Sequence, residues 1–255
     1  MKKQSLAQAV LLILFTWLIS LPSIASAKND SIELMTGLPK PPFIIGETGE
    51  GMQLDIVRAA FGLLDIDVKY LHVPLARTIA GYKRWNADGV ITVPKVNKLN
   101  NLFVSVPYIS YQNVAVSLQD NSVDLTNVSN LSFFDVVAFQ NARKFLGDEF
   151  AQATSGSDDK FYQEVADQSR QIRMLFAREA EVIILDINIF KYFLHENGHE
   201  KLFSKPFDIH YIFNERNYSA GFKNKKHRDA FDKGIREIKA NGQYQAILDK
   251  YLLLN

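Results

Sequence analysis

"SVPYISYQNVAVSL", residues 105–118, decides how this chain of 255 residues is organised. A proline-tyrosine corner and a second tyrosine, Tyr111, stand directly before a long β-prone run, with no glycine turn to fold that run back. Its meaning comes from what lies on either side. Upstream, "SIELMTG" (31–37) reads as a strand ending in glycine, and "LPKPPFIIGETGEG" (38–51) as a proline- and glycine-rich loop. "MQLDIVRAAFGLL" (52–64) places Leu54, Val57, Phe61 and Leu64 at helical spacing. "IDVKYLHV" (66–73) is a second strand, "LARTIAGYKRW" (75–85) a second helix and "GVITV" (89–93) a third strand. This alternation predicts a parallel sheet with helices on its faces.

Downstream the alternation starts afresh. After a polar stretch at 119–130 come strand "FDVVAF" (134–139), a helix around "ARKFLGDEF" (142–150) and a long helix through "FYQEVADQSRQIRMLFA" (161–177). Strand "EVIILD" (181–186) and helix "NIFKYFLHENG" (188–198) follow, then a short strand "YSAGF" (218–222). Two closing helices are predicted, with Phe231, Ile235 and Ile238 on one apolar face and Tyr244, Ile247, Leu248 and Tyr251 on the other. Asn241-Gly242 is the stop between them. The quoted run therefore joins two α/β units.

Lys2 and Lys3, an apolar stretch from Ala9 to Leu21 and Ala25-Ser26-Ala27 have the layout of a cleavable secretory signal peptide over 1–27. The apolar stretch, about 13 residues, is too short to cross a bilayer as a helix, which takes roughly 20. Cleavage would remove two of the 29 Lys+Arg and leave 27 against 28 Asp+Glu, a net charge near −1. That balance carries no nucleic-acid footprint. Apolar residues make up 47% of the chain, enough for ordinary globular packing. With no cysteine, neither disulfides nor an N-terminal lipid anchor is available, so the expectation is a freely diffusing protein stabilised by packing alone; separately, it is expected to be a monomer.

Six separate pieces then resemble one family, the bacterial extracellular solute-binding proteins of family 3, the amino-acid-binding type. "PPF" (41–43) is similar to its proline-aromatic ligand corner, "GMQLDIVRAAF" (51–61) to its G-x-x-x-D-hydrophobic helix and "NADGVITV" (86–93) to its G-x-x-D strand, with Asn86 replacing the usual glycine. "FVSVPY" (103–108) resembles its F-S-x-P-Y, "EVIILD" the second-lobe strand that ends in a ligand-binding aspartate, and "ANGQYQAILDKY" (240–251) its C-terminal signature. The resemblance runs from about Ile32 to Tyr251. It implies an α/β, two-lobed type II periplasmic-binding-protein fold with two hinge crossovers and a central ligand cleft. Lobe 1 would be discontinuous, residues 28–113 plus 220–255, and lobe 2 would span 114–219 with hinge strands at both ends. It also implies a periplasmic location, a small polar solute as ligand, an ABC-transporter permease or membrane sensor as partner, and no cofactor.

Open α/β sheets bind ligands beyond the carboxyl ends of their strands. That rule alone selects Phe43, the region after Val93, Tyr108, Gln140-Asn141 and Asp186. The resemblance makes Asp186 the acceptor for a ligand ammonium, with capping of the next helix as the competing role. Phe43 and Tyr108 would be aromatic walls, and Arg77 a cleft arginine. Amino-acid binders of this family also carry an arginine seven residues before the serine of F-S-x-P-Y, as a planar fork for the ligand carboxylate. Here that position is Lys98, a point charge beside Asn97, so a standard α-amino acid would have to engage Arg77 instead.

Two other readings compete. An enzyme on the same scaffold, similar to a cyclohexadienyl or arogenate dehydratase, would need a general acid, for which Asp186 and Glu47 are the candidates. "HENGH" (195–199) satisfies the zinc-peptidase expression H-E-x-x-H, but Asn197-Gly198 is a helix stop between the two histidines, which would prevent them from sharing one helical face.

Overall fold

The computed structural model describes residues 30–46, 49–74, 86–94, 101–155, 160–198 and 200–252. The predicted helix at 75–85 lies outside them, as do the amino-terminal residues 1–29. No helix among the described residues is long and apolar enough to cross a membrane.

Two sheets organise the chain. Strands β1 (Asp30–Thr36), β2 (Ile66–His72) and β3 (Gly89–Pro94) run parallel, with β1 in the middle. Helix α1 (Met52–Gly62) connects β1 to β2 and buries Leu54, Val57 and Phe61, the face read from the sequence. β4 (Phe103–Val104) and β5 (Ile109–Tyr111) complete this sheet only by pairing with β11 (Arg216–Phe222), which returns antiparallel to β3 from about a hundred residues downstream. Ser105 fixes the return. Its N–H donates to the Ala220 carbonyl at 2.8 Å, and its hydroxyl accepts the Ala220 N–H at 2.9 Å.

The chain leaves this sheet at Gln112. β6 (Asn113–Leu118) is the inner strand that opens the second sheet, which has the order β10-β6-β9-β7-β8. Its remaining strands are β7 (Val136–Phe139), β8 (Tyr162–Val165), β9 (Val182–Asp186) and β10 (Phe207–His210). All five residues of β9 are buried, as expected of a strand covered on both faces. Each fully buried Val, Ile or Leu contributes about 1.5–3 kcal/mol relative to exposure. Short helices α2 (Ala142–Leu146) and α3 (Asp148–Ala153) replace the single predicted helix, because Gly147 sits at φ 95° between them.

A second predicted element is also corrected. The long helix through 161–177 is a strand followed by a helix: β8 pairs parallel with β7, and α4 covers only Gln168–Phe176. The Asp167 carboxylate accepts the Arg170 N–H at 3.1 Å and so starts α4 at Gln168, seven residues later than the pattern suggests. β8 escaped notice because an edge strand needs only one apolar face, and "YQEV" lacks a continuous apolar run. β10 was likewise not foreseen. α5 (Ile187–Asn197) ends at Gly198, with an exposed His195 in its last turn; His199 lies outside the described residues.

The closing helices α6 (Lys225–Ala240) and α7 (Gln243–Leu252) pack on α1. Phe231, Ile235 and Ile238 are buried as read. α6 approaches α1 so closely at Gly234 that a Cβ there would lie 2.0 Å from the Ala60 carbonyl oxygen. Gly234→Ala is therefore expected to destabilise the protein by about 1–3 kcal/mol, the usual cost of overpacking. Urea unfolding checks this, and an unchanged midpoint would mean that the two helices part freely. One buried apolar cluster runs from Ile32 and Phe61 through Phe43 and Tyr111 to Leu185 and Phe190, so the core is continuous across both sheets.

Candidate functional site

Thr36, His72 and Pro94 end the parallel strands of the first sheet, and Phe139, Val165 and Asp186 end those of the second. The site is built from the loop after β1, the corner before β6 and the end of β9.

Asp186 is 3% exposed and serves three backbone donors. Oδ1 accepts from Asn188 N–H at 2.8 Å and Ile189 N–H at 3.3 Å, which makes it the N-cap of α5. Oδ2 accepts from Gln112 N–H at 2.8 Å, at the point where the chain passes between sheets. The capping role weighed against a ligand role is thus present in the fold, and a carboxylate with about four lone-pair sites has roughly one to spare.

Phe43 is fully buried and stacks on Tyr111, with ring centroids 3.9 Å apart and an interplanar angle of 18°. Tyr218 meets Tyr111 edge-on at 5.0 Å. Two hydrogen bonds between Lys40 and Ile44, at 2.8 and 3.0 Å, close the proline loop and place the half-buried Lys40 over the Tyr111 ring, 4.1 Å from its centroid and 5.6 Å from that of Phe43. Such cation–aromatic contacts contribute about 0.5–2 kcal/mol. Beneath them Gln53 is fully buried. Its Nε2 donates to the Tyr108 hydroxyl at 2.8 Å and to the Thr92 hydroxyl, while its Oε1 accepts from the Tyr111 hydroxyl at 2.8 Å. Thr92 holds a positive φ of 75°, unusual for a β-branched residue.

The structure therefore joins Phe43 to Asp186 through Tyr111 and Gln112. Tyr108 lies deeper, its ring edge against Phe231 at 5.3 Å and its hydroxyl committed to Gln53. Asn141 is exposed at a φ of 63° just past the end of β7, the strand beside β9, and donates its N–H to Glu164 Oε2 at 2.7 Å. Arg77, Lys98 and Glu47 lie outside the described residues. Sequence reasoning passed over Lys40, Gln53 and Thr92. The signal for Lys40 was its place between Pro39 and Pro41, where the backbone has little freedom. Gln53 and Thr92 carried none beyond a polar residue in an apolar pattern.

Burial pushes Asp186 up to about 6, while its backbone donors and Lys40 pull the other way. Burial likewise pushes Lys40 down to about 8, against the pull of Asp186. Between pH values of about 4 and 6 the folded protein keeps a proton on Asp186 that the unfolded chain has released, so this contribution to stability falls as pH rises. Between about 8 and 10.5 the folded protein has lost the Lys40 proton that the unfolded chain retains, so stability climbs again. The charged pair thus costs the fold most at a pH of about 6–8. Urea unfolding across the pH range is expected to show an alkaline rise in native protein that Lys40→Met lacks. Parallel profiles would contradict the assignment.

Two α/β sheets joined through adjacent crossings, with polar and aromatic groups gathered at the strand ends between them, define a type II periplasmic-binding-protein fold. The chain belongs to the bacterial extracellular solute-binding proteins, family 3, which it matches over residues 32–254. A search of curated proteins finds no match. Among solved structures, the chain is similar to a histidine kinase sensor domain that resembles periplasmic binding proteins, at 16% identity and TM-score 0.66, covering 87% of this chain and 96% of that one. It is also similar to the histidine-bound substrate-binding protein of a Streptococcus pneumoniae ABC uptake transporter, at 12% identity and TM-score 0.67, covering 87% and 92%. A third is an ancestral amino-acid-binding protein described as a precursor of cyclohexadienyl dehydratase, at 13% identity and TM-score 0.66, covering 88% and 96%.

Proposed function

We propose that this protein captures a small polar solute in the periplasm, between lobes 28–113 plus 220–255 and 114–219, and presents it to a membrane transporter or sensor. The observation that carries the reading is the convergence of Phe43, Tyr111, Lys40 and Asp186 at the strand ends, within a family of solute-binding proteins. The segment around Gln112 and the one between β10 and β11 would be the hinges, since a few residues where the chain changes sheet can absorb a lobe rotation. Asp186 would add the solute to its backbone donors, and Arg77 or Lys98 would contribute from lobe 1. Both partner types are represented among the structural neighbours, a sensor domain and a transporter's binding protein. A thermal-shift screen of unliganded protein against amino acids, polyamines and small organic acids tests the reading. A solute at 100 times its Kd adds about 2.7 kcal/mol and raises the melting temperature. Silence across the library would remove solute capture as the role.

A second reading, an enzyme of the dehydratase type, gains support from Asp186. Burial holds its carboxyl near 6, the range in which a group can donate a proton at neutral pH. Turnover of a cyclohexadienyl acid, lost in Asp186→Asn, would establish that reading; no turnover leaves binding.

A further inference from the structure

The hydrogen bonds around Asp186 and the contacts of Lys40 bear on the charge of the solute. A solute ammonium would seek carboxylate lone pairs. Three of the roughly four on Asp186 are already taken by the N–H groups of Gln112, Asn188 and Ile189. It would also seek aromatic rings, and the Phe43–Tyr111 pair already has a cation against it. The hydroxyls of Tyr108 and Tyr111 are both committed to Gln53.

Lys40 is in the opposite condition. Its ammonium carries three N–H donors, and among the described residues it makes ring contacts but no hydrogen bond or ion pair. Its backbone is pinned by two hydrogen bonds with Ile44 across the proline turn, and its ammonium lies over the Tyr111 and Phe43 rings. Lys40 lies over the Tyr111 ring, and the next residue, Gln112, donates its N–H to Asp186, so the lysine already brings a positive charge to the neighbourhood of that carboxylate. A ligand ammonium entering the same place would set two cations against one nearly saturated acceptor. A ligand carboxylate would instead offer acceptors to the three Lys40 donors, in a partly buried site where such a bond is strong.

We propose that Lys40 acts as a built-in ammonium and sets the solute's charge: the cleft takes a small 2-oxo or 2-hydroxy carboxylic acid, its carboxylate on Lys40, in preference to the α-amino acid of the same skeleton. This rests on the solute-binding reading above and deepens it.

Isothermal titration at pH 7 with matched sets tests it: pyruvate and lactate against alanine, 2-oxoglutarate against glutamate, and phenylpyruvate against phenylalanine. At least one oxo or hydroxy acid is expected to bind tenfold or more tightly than its amino counterpart. Lys40→Met should abolish or reverse that preference, and Lys40→Arg, which keeps the charge, should retain it; circular dichroism of each variant establishes that it is folded. An amino acid that binds native protein as tightly as its oxo and hydroxy analogues would overturn the proposal while leaving solute capture intact. So would a preference unchanged in folded Lys40→Met. If no acid, amino acid or polyamine binds native protein, solute capture itself falls and this inference with it.

Discussion

Asp186→Ala is expected to lower the free energy of unfolding by about 3 kcal/mol, because one side chain satisfies three separate backbone donors. Losing a helix N-cap costs about 1 kcal/mol, and α5 would begin with Asn188 and Ile189 N–H unserved. The Gln112 N–H would lose its acceptor where the chain crosses from one sheet to the other, at a further cost of about 1–3 kcal/mol. Lys40 would also lose the charge that opposes its burial. Part of this loss is offset, since removing a buried carboxylate also removes its desolvation cost. Asp186→Asn keeps one acceptor oxygen and should fall between native and alanine. Urea unfolding of the three proteins at neutral pH checks the order. A loss below about 0.5 kcal/mol for alanine would mean that water replaces the carboxylate at no cost, and that the site is open rather than buried.

Gln53→Leu is expected to cost about 2–4 kcal/mol, although leucine is close to glutamine in size and suits a buried position. The change would remove the Gln53 partner of the Thr92, Tyr108 and Tyr111 hydroxyls together, and the two tyrosines lie where no ordinary solvent contact replaces the bond. Tyr111 would lose the contact that positions its ring on Phe43, so near-ultraviolet circular dichroism of the tyrosines should change as well. Solute affinity should fall with it, because the stacked pair and Lys40 rest on that ring. A stable Gln53→Leu with native tyrosine signals would show that the aromatic pair holds itself.

These residues also show what a sequence carries and what it does not. "EVIILD" and "NVAVSL" are runs of β-branched and apolar residues. Their burial as inner strands of the second sheet follows from composition. Asp186 stands out because it ends such a run, and Phe43 because it follows two prolines. Tyr108 was conspicuous for the same local reason, yet its hydroxyl and ring turn into the core of the first sheet, a matter of long-range packing against Phe231. Gln53 could not be singled out, since its three partners lie 39 to 58 residues away, and period-based reading sees only neighbours along one element. β8 failed for the opposite reason: Gln163 and Glu164 fit a helix pattern as well as an edge strand, and pairing with β7 decided between them. The antiparallel return of β11 became legible only through the family resemblance, because no local signal links "YSAGF" to "GVITV".

In the proposed function a solute is held between the two sheets at Lys40 and Asp186. Native mass spectrometry of protein isolated without denaturation tests this whatever the ligand's identity. The expected spectrum shows the chain carrying one small organic molecule, released at raised collision energy and absent from Lys40→Met. A bare chain that stays bare after incubation with the full acid, amino-acid and polyamine library would contradict it.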